Sequence, residues 1–162
     1  MSFRYINTGD RPVMYKYCHG TLPTNKRLHQ IRIRNDPLCE HCNIEDSNSH
    51  RFYQCQKVQD CILWLRKLIF YLCGINCNDL SRILFLELPK VNIRNRNTLC
   101  LLICSYVACV WYNRGKLDQL TYILKAKIIR DQKLNLLILE QKAKRIFSEN
   151  YCKPNVEFIY TL

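Results

Sequence analysis

The chain has 162 residues, long enough for one domain or for one small module joined to a helical one. Hydrophobic residues make up 48%, which excludes a disordered tail, and only 4 glycines argue against a turn-rich all-β protein and for long helices. A net charge of +12, from 25 Lys and Arg against 13 Asp and Glu, suits a polyanionic partner, nucleic acid or anionic membrane, or else a basic protein with no dedicated partner.

In chain order, residues 11–34 read as two short helices broken at Gly20-Thr21-Leu22-Pro23, with Pro23 in the first turn of the second helix. Residues 35–49 read as a polar loop. Asn35-Asp36-Pro37 marks a turn, and Glu45-Asp46-Ser47-Asn48-Ser49 runs into a helix N-cap. A helix from about Ser49, with a break allowed near Cys55, extends to Leu72 through Ile62, Leu65, Leu68 and Ile69, and Gly74 stops it. Asp79 is a candidate cap for a helix over Ser81–Leu88, ended by Pro89. The next helix runs from Ile93 to Arg114. Its apolar stretch Leu99–Tyr112 is 14 residues long, against about 20 for a membrane span, so it reads as a buried core helix. Lys116 to Phe147 reads as one long amphipathic helix or two joined ones, and Pro154–Leu162 as a short strand or a loose tail. The expected class is therefore mainly α. A small zinc-binding loop flanked by helices and a basic segment occupy residues 1–74, and a helical region or bundle occupies 75–162.

Eleven cysteines form an odd count, Met1–Asp10 has no apolar signal-peptide core, and there is no Asn-x-Ser/Thr sequon. An intracellular setting, nucleus or cytoplasm, is expected, where clustered cysteines bind metal more often than they form disulfides. Cys39, Cys42, His50 and Cys55 are spaced C-x2-C-x7-H-x4-C. Three thiolates and one imidazole make a common structural zinc site, with no open position for a catalytic water. His50 and Cys55 would diverge by about 140° on a regular helix, so the helix start must be irregular there. His41 is the rival ligand, but coordination from inside the same tight loop would be strained. Cys61, Cys73, Cys100, Cys104 and Cys109 fall in apolar helical patterns and read as small buried hydrophobes, while Cys18 and Cys77 are undecided.

Lys26, Arg27, Arg32 and Arg34 precede the loop and are candidate phosphate contacts; a solvated helix face is the plainer reading. Tyr53, with Tyr15, Tyr17 and Phe52, is a candidate for base stacking, against core packing. The later basic set Lys125, Lys127, Arg130, Lys133, Lys142, Lys144 and Arg145 reads as a solvated face, with a track along a phosphate backbone as the alternative. No catalytic constellation is visible. There is no adjacent Asp-Asp pair, no Gly-rich phosphate loop and no nucleophile elbow.

His19-Gly20-Thr21-Leu22-Pro23-Thr24-Asn25, Arg27-Leu28, the C-x2-C pair, Glu45-Asp46, His50, Phe52, Cys55 and Trp64 together resemble the zinc-binding C-terminal region of non-LTR (LINE-type) retrotransposon reverse transcriptases. The match covers roughly residues 11–70. The resemblance implies a fragment that binds template RNA or target DNA, with Cys39, Cys42, His50 and Cys55 as Zn2+ ligands. It implies no polymerase activity for this chain, which lacks the fingers and palm. The alternative is a domesticated or purely structural zinc-stapled module that binds a helical protein partner or the remainder of such an enzyme. A thiol enzyme using Cys18 or Cys39 is a third, weaker reading.

Overall fold

The computed structural model describes residues 6–76, 80–84, 87 and 92–134. It is mainly helical, and among the described residues the only β pairing is the isolated antiparallel bridge Leu38–Glu45. The helices are α1 (Arg11–Cys18), α2 (Asn25–Gln30), α3 (Gln59–Cys73), α4 (Leu80–Leu84), α5 (Ile93–Tyr112) and α6 (Leu120–Leu134).

α5 is the centre. Every residue from Leu101 to Val110 is buried, so this helix is covered all round by its neighbours α1, α3 and α6. The apolar run thus serves as a protein core, and no helix among the described residues is long and apolar enough to cross a membrane. Asn92 caps α5, its side-chain oxygen accepting from the Asn95 N–H at 2.8 Å. α3 buries the stripe Cys61, Ile62, Leu65, Leu68, Ile69 and Leu72 and ends at Gly74, whose φ of 66° is the left-handed cap that glycine adopts without a Cβ clash. α6 contributes Leu120, Leu124 and Ile128.

α1 turns Val13, Met14 and Tyr17 inward. It closes in a Schellman turn: the Gly20 N–H donates to the Tyr17 carbonyl and Thr21 N–H to Lys16. The cap of α2 is Thr24, whose hydroxyl accepts from Arg27 N–H at 3.4 Å. Pro23 therefore lies before the cap rather than in the first turn. Residues Arg114–Gln119 form a 3-10 segment with Lys116 off the helical region (φ −131°, ψ 34°). This breaks the expected helix from Lys116, so α6 starts at Leu120. Gly115, a weak helix former, sits inside the break. Asp79, Pro89, Cys77, residues 135–147 and the tail Pro154–Leu162 lie outside the described residues.

Two side chains tie the elements together. Tyr106, fully buried on α5, donates its hydroxyl to the Phe52 carbonyl at 2.8 Å, and Tyr17 donates to the Leu84 carbonyl at 2.7 Å. The Tyr17 and Phe52 rings meet edge to face, 5.0 Å between centroids.

Candidate metal centre

The first two ligands come from a tight hairpin. The Cys39 N–H donates to the Ile44 carbonyl at 2.7 Å and Asn43 N–H to Cys39 at 3.0 Å. Asn43 takes a left-handed φ of 55°, which Asn tolerates better than most residues and which turns the chain just after Cys42. The Asp46 N–H closes the loop on the Pro37 carbonyl at 2.8 Å.

The second pair comes from a wide helical turn, His50–Gln54, in which the Cys55 N–H reaches back five residues to the His50 carbonyl at 2.7 Å. An i→i+5 turn winds more slowly than an α-helix, so residues five apart return to one side. This resolves the irregularity that the His50–Cys55 spacing demands. The Ser47 hydroxyl starts the turn by accepting from His50 N–H at 3.1 Å, so Ser47 rather than Ser49 acts as the cap.

One ligand atom from each of Cys39, Cys42, His50 and Cys55 lies within 4.8 Å of the others. The Cys42 and Cys55 sulfurs are 3.5 Å apart, and those of Cys39 and Cys55 4.0 Å. Zn–S bonds near 2.3 Å in a tetrahedron give S–S edges of about 3.8 Å, so the observed pair distances bracket the metal-bound value. The four residues could therefore hold a metal ion. His41, by contrast, is exposed and stands outside the cluster.

The chemistry of the donors agrees. His50 is buried, and neither ring nitrogen has a hydrogen-bond partner. Leaving a buried polar group unmatched costs about 1–3 kcal/mol, which a ligand bond at one nitrogen would offset. Burial lowers the His50 pKa, favouring the neutral imidazole that ligates. Burial also pushes the Cys55 thiol up to about 12, with Cys42 and Cys39 beside it opposing a second and third negative charge. A divalent cation reverses that balance, because it stabilises thiolates together.

A polar clamp that sequence reading did not identify holds the loop. Asp46 is buried, and its carboxylate accepts from the Arg51 guanidinium (Nε at 3.0 Å, with Nη2 on the other oxygen) and from Asn25 N–H at 2.9 Å, at the start of α2. The Asn25 side chain donates to the Leu38 carbonyl at 2.6 Å and accepts from Arg34 at 3.0 Å. Arg51 also lies over the Trp111 ring, 5.4 Å from its centroid, and Arg114 over the same ring at 4.4 Å. The acidic pair before the turn is visible in sequence, but nothing there marks Arg51 as its partner.

The basic residues before the loop divide. Lys26 pairs with Glu45 at 2.8 Å, and Arg34 with Glu40 at 3.2 Å and Asp36 at 3.8 Å. Arg27 and Arg32 are exposed and make no ion pair among the described residues. Tyr53 is half-buried, its hydroxyl accepting from Arg66 at 3.1 Å. Tyr17 and Phe52 are core residues, which corrects their reading as stacking candidates. Lys127 is also corrected. It is not on a solvated face but is 10% exposed, bridging Asp10 at 2.6 Å and Asp131 at 3.6 Å. Lys142, Lys144 and Arg145 lie outside the described residues, as does the side chain of Lys133.

Of the cysteines expected in the core, Cys61, Cys73, Cys104 and Cys109 are buried and Cys100 is half-buried, while Cys18 is exposed. No protein-family model, curated protein or solved structure matches this chain.

Proposed function

We propose that this chain is a zinc-stabilised nucleic-acid-binding module of the kind found at the C-terminal end of non-LTR retrotransposon reverse transcriptases, with no polymerase chemistry of its own. The observation that carries the metal half is the sulfur-rich cluster, its ligand atoms within 4.8 Å of one another, around a buried His50 whose ring nitrogens have no hydrogen-bond partner. Three soft sulfur donors and one imidazole suit Zn2+, and four protein ligands leave it structural. Charge carries the nucleic-acid half. Residues 11–35 hold Arg11, Lys16, Lys26, Arg27, Arg32 and Arg34 and no Asp or Glu. Bound zinc would fix the loop against α2 through the Asp46 clamp and so fix where these cations stand.

The test is fluorescence anisotropy with a labelled single-stranded RNA at two salt concentrations, with and without a zinc chelator. Binding should weaken steeply with salt and collapse on chelation. Metal-loaded protein that binds no RNA at low salt refutes the reading.

A second reading, a helical protein-interaction module, is favoured by Leu63 and Phe70, seven residues apart on α3 and each half exposed. A stable dimer or complex without RNA affinity would support it.

A further inference from the structure

Among the described residues, four Tyr and Phe side chains lie close enough in sequence to the basic segment to serve a nucleic acid, and the fold leaves one of them exposed. Tyr17 and Phe52 are in the core and Tyr53 is engaged by Arg66, whereas Tyr15 is 61% exposed. α1 has an inward face of Val13, Met14 and Tyr17, which leaves Arg11, Tyr15 and His19, at i, i+4 and i+8, along the outer face. The Tyr15 and His19 rings lie 4.3 Å apart, tilted by 47°. Lys16 is exposed beside them, and Arg11 is exposed, its Nε donating to the Ile6 carbonyl at 3.3 Å. The nearest acid in sequence, Asp10, is buried against Lys127 and faces inward.

We infer that the outer face of α1 is a platform for single-stranded nucleic acid, on which Tyr15 and His19 stack with unpaired bases while Arg11 and Lys16 hold the adjoining phosphates. The inference rests on the nucleic-acid reading above and assigns it a surface. Stacking needs a free aromatic face and a base whose own face is free, which a strand supplies and a duplex does not. Exposed rings set among cations that make no ion pair among the described residues are a combination that single strands recognise. The platform uses α1, not the cations nearest the cysteine loop, two of which are already committed to acids.

The experiment uses the full zinc-loaded chain and an oligouridylate carrying one 2-aminopurine, whose fluorescence drops when it stacks, free and annealed to its complement. Tyr15 faces solvent, so Tyr15→Ala should leave the far-UV circular dichroism unchanged. It should weaken strand binding by about tenfold and abolish the drop, while Tyr15→Phe stays close to wild type. Arg11→Gln with Lys16→Gln should keep the drop and lower the salt dependence, by a slope of roughly 0.7 for each phosphate no longer held. If wild type binds the strand and Tyr15→Ala binds it equally with the same drop, the platform is wrong and the nucleic-acid reading survives. Equal binding of the duplex, indifferent to Tyr15→Ala, also overturns it. If wild type binds no strand even at low salt, both fall together.

Discussion

The knuckle loop, residues 37–55, and the bundle built on α5 are ordered by different physics. In the bundle, Leu101 to Val110 are buried without interruption and apolar burial is the main source of order, with Lys127 between Asp10 and Asp131 as a largely buried polar link. In the loop, Glu40, His41, Asn43, Ile44 and Glu45 are exposed, and order comes from hydrogen bonds, one buried ion pair and a cluster of four side chains whose potential ligand atoms lie within 4.8 Å of one another. Phe52 joins the two. Its ring packs in the core against Tyr17, its carbonyl receives Tyr106, and its neighbours in sequence are the clamp residue Arg51 and, one further back, the candidate ligand His50. A loop with so little core should not outlast the loss of a metal bound at this cluster, whereas the bundle should.

Metal removal should therefore show the largest difference. On chelation, or in Cys42→Ser, hydrogen exchange should accelerate across residues 38–55, and the amides of α3 and α5 should stay protected. Isolated zinc modules gain about 10 kcal/mol or more of apparent folding free energy from the ion. Loss of protection in α5 as well would show that the bundle depends on the loop and that the two regions are not ordered independently.

The clamp comes next. In Asp46→Asn the Arg51 guanidinium, 11% exposed, loses its anion, and breaking such a buried pair costs about 3–5 kcal/mol. Zinc affinity should fall in step, read by competition with a chromogenic chelator. Unchanged affinity would mean that the hairpin and the wide turn hold the ligands without help from α2. At the junction, Tyr106→Phe leaves the buried Phe52 carbonyl without its donor, a loss of about 1–3 kcal/mol by urea denaturation. A loss near zero would show that the junction is held by the rings rather than by this hydrogen bond.

The same contrast explains what could be read from sequence. Apolar positions at 3.6-residue spacing announce α3, and an unbroken apolar run announces α5, because one-sided and all-round burial each leave a trace in residue type. Cys39 and Cys42 announce themselves by standing in a polar loop with nothing to bury them. The widened turn at His50–Gln54 is different. The spacing of His50 and Cys55 requires some irregularity, but the i→i+5 hydrogen bond that supplies it depends on backbone pairing and leaves no residue-type trace. Lys127 was illegible for a related reason: its partners Asp10 and Asp131 are 117 and 4 residues away, and only packing of α6 against the start of α1 brings Asp10 to it. Likewise Tyr17 and Phe52 are aromatic like Tyr15, and only the inward face of α1, for Tyr17, and the packing of the His50–Gln54 turn, for Phe52, separate them.

The smallest effect tests the boundary between stability and binding. Arg32 ends α2 in the left-handed region at φ 60°, with its N–H on the His29 carbonyl and Ile33 N–H on Leu28, the position that glycine normally fills. A side chain there costs about 1–2 kcal/mol, and glycine's extra unfolded-state entropy returns about 0.5–1. Arg32→Gly should therefore stabilise the metal-loaded protein by about 0.5–1 kcal/mol in urea denaturation. If Arg32, exposed and without an ion pair among the described residues, also contacts phosphate, the same variant should bind strand more weakly and with a smaller salt slope. A gain in stability with a loss of binding would place the strain at an interface. A gain with unchanged binding would remove Arg32 from the phosphate contacts and leave Arg27, among the four cations that precede the knuckle, as the one without an ion pair to the described residues.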